Sequence, residues 1–361
     1  MEGVLLLEDG RQFVGRGFGA RVHRVGEAVF NTAMTGYQEI LTDPSYAEQI
    51  VTMTSAHIGN TGVNDEDPES ARVWASGFVV RDLSATVSNW RARGDLSSYL
   101  VKHGVPGVAG IDTRALVRHL RTAGAMKAVI STDGSDLDTL KAAIRDWPGM
   151  EGRALAGEVG RKASFVFADP ANPTWRVTVI DGGCKDNILH LLAATGAYVR
   201  VHPITDSAEA WMAGVDAVFV SNGPGDPAAL PDAIANLSKV VGTMPTLGIC
   251  LGNQLLALAL GAQTYKLKFG HRGANQPVRD ELSGKVEITS QNHGFAVEAA
   301  SLAAVGGTVT HTHLNDGTIS GFQHLGKRVM AVQYHPESNP GPHDSRHLFQ
   351  RFRAFAMEGR S

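Results

Sequence analysis

From Arg176 onward the chain alternates short apolar runs with segments of helical periodicity: "VTVIDGG", "KDNILHLLAATG", "YVRVHP", "AVFVSNGPGDP", "AIANLSKVVG", and "PTLGIC" followed by "NQLLALALG". A strand buried on both faces reads as a continuous apolar run, and such strands separated by helices build βαβ units. The second half is therefore expected to be an α/β doubly wound, mainly parallel sheet whose functional loops lie at the C-terminal ends of its strands. "KVEITS", "GTISGFQ" and "RVMAVQY" add later strands.

The first half has a different rhythm. In "VLLLEDGRQFVGRGFG" two apolar runs flank Glu8-Asp9-Gly10, a turn signal that predicts a β-hairpin. In "GIDTRALVRHLRTAGAMKAVIS", Asp112-Thr113 precedes Leu116, Val117 and Leu120 at helical spacing, which predicts a capped amphipathic helix stopped at Gly124. Strands and helices are mixed here, so residues 1–150 are read as an N-terminal mixed α/β domain. Residues 151–175 lose sustained periodicity and carry Pro170, Asn172 and Pro173, which reads as a linker, with the second domain over 176–361. A chain of 361 residues has room for two separate cores.

Composition excludes some partners. With 33 Lys+Arg against 36 Asp+Glu, the formal charge of -3 provides no polybasic field for nucleic acid or an anionic membrane. The opening "MEGVLLLEDGRQF" lacks the apolar core of a signal peptide, and no apolar run approaches the roughly 20 residues that span a bilayer, so a cytoplasmic protein is expected. Its two cysteines, Cys184 and Cys250, make neither a disulfide framework nor a multi-cysteine zinc site, which leaves reactivity as the special role for either.

Gly248-Ile249-Cys250-Leu251-Gly252 has the form glycine, any residue, nucleophile, any residue, glycine, between an apolar strand and a helical segment. That is the setting of a nucleophile elbow, in which a strained turn lifts the side chain out of the sheet. The helix N-terminus favours thiolate over thiol, and the N–H of Leu251 points where an oxyanion would form. An isolated cysteine is more often a buried structural thiol; the flanking glycines favour the nucleophile here.

A thiol nucleophile needs a base. Of 14 histidines, His335 in "RVMAVQYHPES" stands at the exit of a predicted strand over Val329 to Tyr334, with Glu337 two residues on to orient an imidazole. "SNGPGDP", Ser221 to Pro227, is a tight loop after another strand whose backbone N–H groups suit a second oxyanion donor. Other candidates are set aside. "GFQHLGK", Gly321 to Lys327, lacks the Ser or Thr and the helix of a phosphate-binding loop. His311 and His313 on a strand, and His343 and His347 four apart on a predicted helix, are read as solvent-facing and not as metal ligands, and no metal site is assigned. Cys184 in "GGCKDN" is read as structural, its loop bordering the site.

Together "GICLGNQ", "SNGPGDP" and "QYHPE" resemble a class I, triad-type glutamine amidotransferase domain, which hydrolyses the side-chain amide of glutamine. "FNTAMTGYQEILTDPSYAEQIVTMT", "HIGNTGVN", "GIDTRALVRHLR" and "QNHGF" narrow the likeness to the small, glutamine-hydrolysing subunits of carbamoyl-phosphate synthetases, over nearly the whole chain. The resemblance implies Cys250 as nucleophile, His335 as general base and acid, and Glu337 as orienter. It implies oxyanion N–H groups from Leu251 and Gly223, and glutamine contacts from Ser45, Gly225, Gln254, Asn292, Gly294 and Phe295. Ser45, from "DPSY" in the first domain, implies that both domains meet at the glutamine pocket. The resemblance further implies a heterodimer with a large subunit that holds ATP and Mg2+ and makes carbamoyl phosphate for arginine and pyrimidine synthesis, with no cofactor on this chain.

Two departures stand out: Asn253 where histidine is expected after "CLG", and Ser55-Ala56 where an aromatic–proline pair is more usual. Neither removes a triad residue. The rival readings are a glutaminase subunit for a different synthetase, against which the N-terminal motifs speak; a catalytically silent scaffold, against which the intact Cys–His–Glu set speaks; and a cysteine peptidase or esterase on the same elbow.

Overall fold

The Glu8–Gly10 turn joins Glu2–Leu7 to Gln12–Gly19 as an antiparallel hairpin, with Gly10 at φ 87°, a conformation that favours glycine. The structure is a computed structural model that describes residues 1–358. Two units emerge: Met1–Glu151 with Lys268–Gly273, and Gly152–Leu267 with Ala274–Ser361.

In the first unit the hairpin belongs to a closed seven-stranded barrel. Its order runs Glu2–Leu7, Gln12–Gly19, Pro106–Ala109, Gly77–Val80, Gln49–Met53, His23–Asn31 and Met126–Ser131, the last pairing back onto the first. Closure leaves no open edge, and alternate residues fill the interior: Leu5, Leu7, Ile50, Val79, Val108, Ala128 and Ile130 share one core. The helix Thr113–Ala123 contributes Leu116 and Leu120 to it. Asp112 caps that helix by accepting from the Ala115 N–H at 2.9 Å, and Gly124 ends it.

The second unit is built on a ten-stranded sheet. Its centre is parallel, in the order Ala197–Pro203, Trp175–Asp181, Ala217–Val220, Thr246–Ile249 and Val329–Val332. Successive residues alternate between two cores. Val177, Val179, Phe219, Leu247 and Ile249 pack with the helices Asp186–Ala194 and Leu348–Met357, while Ile180, Val218 and Val220 pack with Pro231–Val240 and Leu251–Ala259. The sheet is doubly wound, as the alternation of strands and helices predicts.

Half of the strands depart from a mainly parallel sheet. Phe165–Ala168 adds an antiparallel strand at one edge, and Val329–Val332 is followed outward by the antiparallel Ile319–His324 and Thr308–His313, then by Thr264–Asp280 and Val286–Val297. The stretch 151–175 is accordingly not an unstructured tether. It contains the short helix Ala156–Val159 and the edge strand, and Arg161 pairs with Asp181 at 2.8 Å. No helix among the described residues is long and apolar enough to cross a membrane.

Candidate active site

Cys250 stands between the strand Thr246–Ile249 and the helix Leu251–Ala259, with φ 54° and ψ -103°, a backbone conformation that non-glycine residues adopt at a cost. The glycines beside it are there for close approach. A Cβ on Gly252 would lie 2.2 Å from the Val220 carbonyl oxygen, and one on Gly248 would lie 2.8 Å from the Gly252 carbonyl carbon. The Cys250 N–H donates to the Val332 carbonyl at 2.9 Å, which ties the elbow to the neighbouring strand end. Its sulfur lies 3.6 Å from the Asn292 carbonyl oxygen, so the strand Val286–Val297, carrying Asn292, Gly294 and Phe295, runs beside the sulfur.

His335 follows the strand Val329–Val332, one strand over from the elbow, and its N–H donates to the Ser290 carbonyl at 2.8 Å. Its Nδ1 meets Glu337 Oε1 at 2.6 Å, and the ring also interacts with the Cys250 sulfur. Burial alone would push the imidazole pKa down. The Glu337 carboxylate and the Cys250 sulfur, as thiolate, outweigh burial and raise it to about 10. His335 is thus an imidazolium near neutrality. Glu337 is fully buried, which by itself raises its pKa, but Lys185 and His335 hold it down to about 2.

Lys185 is the residue that sequence reasoning missed. It is only 2 % exposed, its Nζ lies 3.1 Å from Glu337 Oε1, and it also donates to the Ser338 carbonyl. A lysine is rarely buried without a paired carboxylate, and here the carboxylate is the one that faces His335. The available signal was its place just after the strand Trp175–Asp181, at the strand end where functional loops gather. Its neighbour Cys184 is buried in the core, and burial pushes its thiol pKa well up, as befits a structural thiol.

The loop Ser221–Pro227 closes against the elbow. A Cβ on Gly223 would lie 2.1 Å from the Gly182 carbonyl oxygen and 2.8 Å from the Leu251 side chain, so only glycine admits this approach. The backbone N–H groups of Gly223 and Leu251 donate to no protein acceptor among the described residues, which leaves both available to an anion near Cys250. Gly225 adopts φ +95°, with room for no Cβ against the Arg153 carbonyl oxygen. Gln254 lies one helical turn beyond Cys250, its N–H donating to the Cys250 carbonyl at 3.3 Å and its Nε2 to the Phe295 carbonyl at 2.8 Å.

The second unit thus brings together Cys250, His335, Glu337, Gly223, Leu251, Gln254, Asn292 and Phe295. Ser45 belongs to the first unit, buried in the single turn Pro44–Tyr46, where its N–H donates to Asp43 at 2.9 Å. Among the residues set aside, His343 and His347 are exposed as expected but precede the helix Leu348–Met357. His311 and His313 do not face solvent: both are buried, His311 with its ring edge against Tyr334 and its pKa lowered by burial to about 4, and His313 bonded to Gln276. Both histidines make contacts from distant parts of the sequence, Tyr334 against His311 and Gln276 against His313, which alternation alone does not reveal. Gly321–Lys327 spans a strand end and a single 3-10 turn, with no helix for a phosphate.

Two family models match the chain. One, described as carbamoyl-phosphate synthase small chain, CPSase domain, covers residues 5–130, and the other, glutamine amidotransferase class-I, covers residues 178–355. Relatives bearing the name carbamoyl phosphate synthase small chain include that of Syntrophotalea carbinolica, 50 % identical over 365 residues and covering 98 % of this chain and 97 % of the relative. That of Solidesulfovibrio magneticus is 50 % identical over 368 residues, 98 % of each chain. That of Streptomyces avermitilis is 50 % identical over 366 residues, 99 % of this chain and 96 % of the relative.

Proposed function

The chain belongs to the carbamoyl phosphate synthase small-chain family, with a class I glutamine amidotransferase domain, and from that premise we propose that it hydrolyses glutamine at Cys250 and passes the ammonia to its large partner. The observation that carries the reading is the disposition of His335: one nitrogen is committed to Glu337 at 2.6 Å, and the ring faces the sulfur of Cys250 on a strained elbow, whose thiolate charge helps to hold it protonated.

The chemistry follows from that disposition. Cys250, as thiolate, adds to Cδ of the glutamine side chain, and the oxyanion that forms accepts from the Leu251 and Gly223 N–H groups. His335 gives its Nε2 proton to the departing nitrogen, so ammonia and not an amide anion leaves, and a γ-glutamyl thioester stays on Cys250. His335, now neutral, takes a proton from water as it attacks the thioester, and collapse expels the Cys250 thiolate and frees glutamate. Glu337 keeps Nδ1 protonated throughout, so Nε2 is the nitrogen that exchanges protons, and Lys185 keeps Glu337 ionised. Gln254, Asn292, Gly294, Phe295 and Gly225 hold the substrate.

Ammonia released to water would become ammonium, so the two chains work as a heterodimer in the cytoplasm. ATP, Mg2+ and bicarbonate bind the large chain, and the carbamoyl phosphate made there serves arginine and pyrimidine synthesis. The test is glutamate release from glutamine by the wild-type chain and by Cys250→Ser, each with and without the large chain. The proposal requires release by the wild type that rises with the partner and falls by at least about 10⁴-fold in the variant. Release that survives in Cys250→Ser, or its absence from the wild-type complex, refutes it.

A further inference from the structure

Two buried carboxamides that the mechanism does not use stand beside Gln254. Gln333, fully buried just past the strand Val329–Val332, is fixed by its N–H, which donates to the Ser320 carbonyl at 2.9 Å. Its Oε1 accepts from Asn253 Nδ2 and from Gln254 Nε2, each at 3.2 Å. Since Gln254 Nε2 also donates to the Phe295 carbonyl, both hydrogens of that amino group are committed. Turned the other way, Gln254 would set its oxygen against two acceptor oxygens. The carboxamide is therefore held one way round, and Gln254 Oε1 receives no hydrogen bond among the described residues.

The arrangement is not a stability device. Asn253 Oδ1 and Gln333 Nε2 are buried without partners, which costs stability that an apolar pair of the same shape would not lose. Its location is specific: Gln254 lies one turn from Cys250, and its Phe295 anchor is on the strand that passes the sulfur.

We infer that Gln333 is a positioning residue for substrate recognition: with Asn253 behind it, it locks the Gln254 carboxamide so that Gln254 Oε1 accepts an N–H of glutamine. This rests on the glutaminase reading. Asn253, the residue that departs from the histidine expected after "CLG", thereby keeps an N–H donor at the position from which Gln333 is held.

The test uses Gln333→Met, similar in length but unable to accept either bond, in the full chain paired with its large chain. KM for glutamine should rise about tenfold, with a smaller change in kcat. In a Gln254→Met background the same substitution should move KM by less than about twofold, because its effect runs through Gln254. γ-Glutamyl methyl ester, which lacks the side-chain N–H, tells the two donors apart. If Gln254 reads the side-chain amide, Gln333→Met leaves the ester KM unmoved; if it reads the α-ammonium, KM for both substrates rises. An unmoved KM for both, or an equal effect in both backgrounds, overturns the inference. Should Gln333→Met not fold, Asn253→Ala serves instead, with a rise of about threefold in KM supporting the inference and none overturning it. Failure of the inference leaves glutamine hydrolysis by the wild type intact, whereas a wild-type complex without that activity refutes the glutaminase reading itself.

Discussion

At Glu337 two cationic groups, Lys185 Nζ at 3.1 Å and the His335 ring at 2.6 Å, share one buried carboxylate oxygen. Glu337→Gln removes the charge and leaves Lys185 buried opposite a neutral amide, so a loss of about 3 kcal/mol in unfolding free energy is expected by urea titration. The pH dependence separates the two halves of the cluster. His335 titrates at about 10 when folded against 6.5 for a free imidazole, so its contribution is complete below about 6.5 and disappears as pH rises through about 10. Glu337, held at about 2 against 4.5, contributes above about 4.5 and loses that contribution as pH falls toward 2. The wild type should therefore lose stability between pH 6.5 and 10 more steeply than Glu337→Gln; parallel curves would show that the carboxylate does not sustain the His335 charge. The placement of Cys250, His335 and Glu337 past strand ends was legible in the sequence because glycine flanks and a proline stop mark those ends. Lys185 was not, since only the sheet brings residue 185 to residue 337.

The proposed chemistry rests on the elbow, and its glycines can be tested. In Gly252→Ala the new methyl would meet the Val220 carbonyl oxygen at 2.2 Å, which backbone cannot yield without moving the helix Leu251–Ala259 off the sheet. About 1–3 kcal/mol of stability should be lost, and glutamine hydrolysis should fall by about a hundredfold, because the Leu251 N–H and the thiol shift with the helix. Wild-type turnover in a destabilised Gly252→Ala would show that the elbow geometry is not what the reaction needs. This strand, turn and helix were readable from local pattern, as were the hairpin at Gly10 and the Asp112 cap. The antiparallel flank was less so. In Thr264–Asp280 glycines, Pro277 and charged residues interrupt the alternation, and the strand exists because neighbours pair with it, not because its own residues favour it. The burial of His311 and His313 comes from partners distant in sequence, Tyr334 and Gln276, and was no more legible.

At the scale of the whole chain, local pattern predicts two domains but not which residues each recruits. Lys268–Gly273 groups with the first unit, where Arg272 bonds Gln49 at 3.1 Å and Phe269 stacks on Phe30 at 5.8 Å, contacts that no spacing in the sequence announces. Edge strand Phe165–Ala168 likewise belongs to the second unit although its surroundings read as a linker. Family membership spans both units, and on the proposed function the reaction belongs to one of them and its purpose to a partner. Carbamoyl phosphate synthesis by the complex with the large chain, driven in turn by glutamine and by ammonium, tests that assignment most directly. Cys250→Ser is expected to abolish synthesis from glutamine and to leave synthesis from ammonium at the wild-type level; equal loss of both, or synthesis from glutamine without Cys250, would contradict the proposed function.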